Sequence, residues 1–71
     1  MRPTIDSIYL ARRINERWDS SSLTPAALQK LVNAYGDRAV EDALRGLHGF
    51  PPEEAIRSPF AYLSAMLEGE D

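Results

Sequence analysis

The sequence predicts an all-α fold, a small compact bundle of four helices, and three observations carry that prediction. Apolar residues recur at three- and four-residue spacing in four separate stretches. Two of those stretches open on the same start signal, Thr24-Pro25 and Ser58-Pro59, and two close on a glycine, Gly36 and Gly69. The expected helices cover residues 5–18, 25–35, 38–48 and 59–68. With 71 residues the chain is expected to form one domain, 1–71. A second core would leave each too little interior to offset the entropy of ordering the backbone.

In the first helix Thr4 is the expected N-cap. Ser7, Leu10, Ala11, Ile14 and Trp18 fall on one stripe, the predicted core face, which carries the only tryptophan inward. Arg12, Arg13, Glu16 and Arg17 point the other way. Asp19 to Ser22 form a polar break. Thr24 then caps the second helix with Pro25 at its first position, where a missing N–H costs nothing, and Leu23 and Leu28 have the spacing of a hydrophobic staple. Leu28, Leu31, Val32 and Tyr35 continue its apolar face to Gly36, a residue able to take the positive φ that ends a helix.

Asp37 is read as the cap of the third helix, whose apolar positions are Val40, Ala43, Leu44 and Leu47. On its outer side Glu41 precedes Arg45 by four residues in the favourable order, and Arg38 precedes Asp42 in the less favourable one. Gly46, Gly49, Pro51 and Pro52 interrupt the pattern, leaving a loop with one possible turn over residues 52–56. The last helix, opened by Ser58-Pro59, has no charge between Arg57 and Glu68. Phe60, Leu63, Met66 and Leu67 mark one face, while Ala61, Tyr62 and Ala65 cover much of the rest. A helix apolar around most of its girth is expected to be enclosed, either within its own domain or against another chain.

Composition removes several classes of function. There is no cysteine, so disulfides, thiolate zinc sites and thiol chemistry are not expected, and a reducing, cytoplasmic setting fits. Nothing near Met1 reads as a signal peptide, and no apolar run approaches the ~20 residues a membrane span needs. Catalysis requires converging groups with shifted pKa values or a metal with several ligands. His48, the only histidine, lies between glycine-flanked positions, Glu53 and Glu54 diverge on a solvated turn, and Ser20, Ser21 and Ser22 lack the strand-turn-helix setting of a nucleophile. The expectation is a non-enzyme with no cofactor, no metal and no small-molecule substrate.

A net charge of −3 argues against a surface made chiefly to neutralise phosphates, so any nucleic-acid contact must be local. The corner at Gly36 has the glycine of a helix-turn-helix. However, Asp37 stands where an apolar residue would pin the turn, and Glu41 and Asp42 would face phosphates. The better-placed cations are Arg12, Arg13 and Arg17 on the first helix, with Arg2 able to join them and Tyr9 able to stack on a base. Their bland counterpart is an ordinary solvated face balanced by Glu16. Ala61, Tyr62, Ala65 and Met66 on the last helix are the candidates for contact with a partner chain, provided they are not enclosed.

From Leu28 to Leu67 the chain carries a pattern that can be set beside known proteins: Leu31-Val32, Tyr35-Gly36, Val40, Ala43-Leu44, Ile56, Ser58-Pro59, Tyr62-Leu63 and Met66-Leu67. It resembles small helical modules of replication proteins from bacteria, phages and plasmids. Among these are the C-terminal region of DnaD-like helicase-loading proteins and accessory helical domains of plasmid replication initiators and primases, where a Tyr-Gly corner precedes a Pro-x-x-Tyr-Leu helix. In the DnaD-like family this region contacts DNA and the replicative helicase, and the resemblance would place Tyr62, Leu63 and Leu67 on the motif helix. The tryptophan and basic tail that follow that helix in the family have no counterpart among these residues. The expectation is therefore an accessory module of a replication-type, mobile-element system that binds protein, and DNA through the basic face of the first helix. The alternative is a protein-only module that dimerises or docks through the last helix.

Overall fold

A computed structural model describes residues 2–51 and 56–69. Four helices follow one another: α1 (Ile5–Arg17), α2 (Pro25–Tyr35), α3 (Asp37–His48) and α4 (Pro59–Glu68). No strand occurs among the described residues. The possible turn over residues 52–56 and the acidic pair Glu53-Glu54 fall largely or wholly outside them.

Local chemistry sets where the helices start. The side chains of Thr4, Thr24 and Ser58 each accept a hydrogen bond from the backbone N–H three residues on, at Ser7 (3.0 Å), Ala27 (3.1 Å) and Ala61 (3.3 Å). The start of α4 has a second acceptor, because Ser22 Oγ from the α1–α2 linker takes the N–H of Phe60 at 3.1 Å. The third start differs from the sequence expectation. Asp37 is the first helical residue rather than the cap, Gly36 occupies the cap position, and no side chain bonds there. With φ +93° and ψ 153°, Gly36 ends α2 and begins α3 in a conformation that side-chain-bearing residues rarely adopt.

The α3 helix is the hub, packing against α1, α2 and α4. It segregates its residues cleanly, with Val40, Ala43, Leu44 and Leu47 buried and Arg38, Asp42 and Arg45 exposed. Around it, Ser7, Ala11 and Ile14 of α1, Leu28, Leu31 and Val32 of α2, and Pro59, Leu63 and Leu67 of α4 are buried. Leu23 and Ile56 enter the same core from outside the helices. The helix runs through Gly46 to His48, the end expected from the predicted span 38–48. A Cβ at Gly46 would lie 3.4 Å from Met66 Cε, an ordinary contact with the end of a flexible side chain, so Gly46 borders α4 without being required by its approach.

Two apolar positions, Trp18 and Tyr35, end up elsewhere than the stripes predict, and Leu10 is only half-buried. Trp18 lies just past α1 as its C-cap, half-buried at the edge of the core rather than inside it. Tyr35, the last residue of α2, is exposed because the chain turns at Gly36 before its ring reaches the interior. The nearly chargeless α4 is not enclosed by its own domain. It buries one face, Phe60 and Met66 flank that face half-buried, and Ala61, Tyr62 and Ala65 are exposed.

Candidate functional site

The outer surface of α1 has the most unusual composition. A helix that packs Ser7, Ala11 and Ile14 inward must turn Ile5, Tyr9, Arg12 and Glu16 outward, since residues three to four apart share a side. Ile5 is 85% exposed, Tyr9 58% and Ile8 45%. Burial of such side chains in a partner is worth about 1.5–3 kcal/mol each, so three together form a patch with a physical reason to be covered. Arg12 and Arg13 continue the surface toward the C-terminal end, and the Arg13 guanidinium stands 5.9 Å from the centre of the Tyr9 ring.

Beside this face lies an open groove of about 520 Å³ between α1 and the linker that leads into α2. Its apolar lining includes Ile8, Ala11, Leu23 and Leu28, and Arg12 and Glu16 belong to its polar lining. Asn15 fixes the linker wall with a reciprocal pair of hydrogen bonds: its Nδ2 donates to the Leu23 carbonyl at 3.1 Å and its Oδ1 accepts the Leu23 N–H at 3.3 Å. Ile8 borders both the exposed patch and the groove, which makes the two one continuous surface.

The N-terminal end of α1 is tied to α3 by a polar cluster. Thr4 Oγ1 donates to Glu41 at 2.8 Å, Arg45 pairs with Glu41 at 3.1 Å, and Asp6 lies 3.7 Å from the same guanidinium. The Thr4 hydroxyl, then the Arg45 guanidinium, hold the Glu41 carboxyl below the usual carboxylate range. The Glu41–Arg45 pair anticipated from spacing forms, whereas Arg38 and Asp42 are not within ion-pair distance.

The four arginines proposed for nucleic acid do not act as one cluster. Arg2, Arg12 and Arg13 are exposed. Arg17 is directed to the far end of α3, where its Nη1 donates to the carbonyls of His48 and, at 3.0 Å, Phe50, and its guanidinium also lies 5.6 Å from the Trp18 ring centre. The bond to His48 satisfies a carbonyl that the end of α3 leaves without a partner and places a cation at the negative end of its dipole, while the bond to Phe50 ties down the segment just beyond the helix. His48 is the last residue of α3 and half-buried. Among the described residues no three histidine, aspartate or glutamate side chains converge as metal ligands would.

On α4, Tyr62 meets Phe50 edge to face, with ring centres 5.3 Å apart at 88°. Met66 is half-buried near Gly46, so of the four candidates there Ala61, Tyr62 and Ala65 stand open. Two of those three are methyl groups, a smaller apolar surface than α1 presents.

Sequence reasoning passed over Ile5 and Ile8, although a signal existed. Once Ser7, Ala11 and Ile14 define the inward stripe, Ile5 is nearly opposite it on the helical wheel. Among the described residues no helix is long and apolar enough to cross a membrane. Comparison with known proteins finds no matching family model, no matching curated protein and no matching solved structure.

Proposed function

We propose that this chain is a non-catalytic protein-binding module that docks its partner on the outer face of α1 and the adjoining groove. The observation that supports this most is the joint exposure of Ile5, Ile8 and Tyr9 on one side of a helix whose opposite side is fully packed. Arg12, Arg13, Asp6 and Glu16 surround the apolar residues with both signs of charge, the usual rim of a contact surface. The resemblance of residues 28–67 to helical modules of replication proteins makes a replication-type system the proposed setting, and the cysteine-free composition suits the cytoplasm.

A photo-crosslinking residue at Ile8 tests the docking face. It is expected to give a discrete protein adduct in cells, an adduct that Ile5→Asp removes, while the same probe at Asp42 on the outer side of α3 gives none. Equal adducts from both positions, or none from Ile8, would contradict the assignment.

A second reading, DNA contact through the same helix, draws on Arg12 and Arg13 flanking an exposed Tyr9. It is the weaker of the two, because Asp6 and Glu16 cancel those two charges and Arg17 is occupied at the end of α3. A labelled oligonucleotide shifted at low ionic strength by the native chain, and not after charge reversal of Arg12 and Arg13, would favour it.

A further inference from the structure

Granting that the outer face of α1 is a docking surface, its charges select an occupant. We propose that it is a second copy of this chain, with two α1 helices paired antiparallel about a twofold axis between Tyr9 and Leu10. Asp6 and Arg13 are seven residues apart, so they lie within about 20° of each other around the helix and roughly 10 Å apart along it. Both are exposed, the Asp6 side chain 71% so. A twofold axis perpendicular to the two helices keeps each lateral edge with the same edge of its partner and reverses the order along it. The axis midway between these residues therefore sets Asp6 of each copy against Arg13 of the other, giving two identical ion pairs from one surface.

The same operation brings the two Tyr9 rings to either side of the axis, where the Arg13 guanidinium already stands over the ring. It also lays Ile8 along the aliphatic stem of Arg12 from the second copy. The face and the cluster at its N-terminal end carry Asp6, Glu16 and Glu41 against Arg12, Arg13 and Arg45, the last already 3.7 Å from Asp6 within the chain. With one cation for each anion, a second copy meets no net repulsion. A phosphate backbone would find no such match. A contact confined to one 13-residue helix is a small one, so the dimer is expected to be weak and concentration-dependent.

Sedimentation equilibrium of the whole chain over a concentration series tests this. The native chain is expected to rise from monomer toward dimer mass. Asp6→Arg and Arg13→Asp should each weaken the dissociation constant roughly tenfold, because each turns two attractions into two repulsions. The double exchange, D6R with R13D, should return it to within roughly threefold of the native value. Tyr9→Ser, which alters no charge, should weaken the dimer as well, and far-UV circular dichroism on every variant establishes that the helices are retained. A chain that stays monomeric throughout, single reversals without effect, or a folded double exchange no tighter than the single variants would each overturn the proposal. A strict monomer that still gives a heterologous adduct from the Ile8 probe would remove the second copy and leave the docking face standing. A monomer with no adduct would remove both.

Discussion

The α3 and α1 helices are of similar length and both are amphipathic, yet their outer faces differ in kind. Beyond its buried stripe α3 exposes Arg38, Asp42 and Arg45, groups that water solvates and that need no further explanation. Beyond its own buried stripe α1 exposes two isoleucines and a tyrosine. One helix is finished by its own domain and the other is finished only on one side. Where a helix sits in the bundle is decided by how sharply its residues segregate. Overall apolarity is a poorer guide, and α4, the most apolar of the four, shows this by leaving Ala61, Tyr62 and Ala65 outside.

The comparison is broken most severely at the hub. Leu44 has no exposed surface and lies on the stripe of α3 that faces the other helices, so Leu44→Ala removes contacts and leaves a cavity. A loss of about 2–5 kcal/mol is expected, a large share of the stability of a domain this small, and urea denaturation measures it. The α2–α3 corner ranks next. A Cβ at Gly36 would meet nothing within 4 Å, so any loss in Gly36→Ala comes from the backbone conformation alone. About 1–3 kcal/mol is expected, read as a lowered thermal midpoint with an unchanged helical spectrum. A loss near zero would mean that the corner relaxes to negative φ at little cost.

These two sites mark what the sequence can and cannot disclose. The caps at Thr4, Thr24 and Ser58, the stop at Gly36 and the buried stripes are local, set by residues three or four apart, and they read directly from the chain. The role of α3 as hub, the half-exposure of Trp18 and the open side of α4 depend on which stripe meets which. The bonds from Arg17 to the end of α3, from Thr4 to Glu41 and from Phe60 to Ser22 span 31 to 38 positions, and no periodicity encodes them. The apolar face of α1 was legible in part. Tyr9 attracts notice beside the arginines, while Ile5 and Ile8 look like core until the opposite stripe is known to be filled.

A smaller effect, present at neutral pH and lost in acid, belongs to the polar cluster between α1 and α3. Glu41 has its carboxyl lowered first by the Thr4 hydroxyl and next by Arg45, so folding favours the ionised form. The contribution is fully present above the ordinary carboxylate range and is lost as pH falls through the lowered value of the folded state. Glu41→Gln should therefore be less stable than the native chain at neutral pH and should approach it in acid, whereas Thr4→Val, which also removes the N-cap of α1, should keep part of its deficit at every pH. Thermal midpoints taken across the acid range check this. A gap between native and variant that stays constant with pH would mean that the cluster acts through packing and not through charge.

The smallest effect bears most directly on the contrast between the helices. An apolar residue that serves the fold loses stability when it is made polar, whereas one that serves a partner does not. Ile5 is 85% exposed and forms no part of the core cluster, so Ile5→Ser should change the unfolding free energy by no more than about 0.5 kcal/mol. A substitution of the same kind at Ile14, on the buried side of the same helix, should cost several times as much, because it deletes packed methylenes and buries a hydroxyl. Equilibrium unfolding of the two variants at a concentration low enough to keep the chain monomeric measures the difference. If Ile5→Ser proved as costly as the change at Ile14, the outer residues of α1 would belong to the fold, and the physical reason for assigning that face to a partner would be gone.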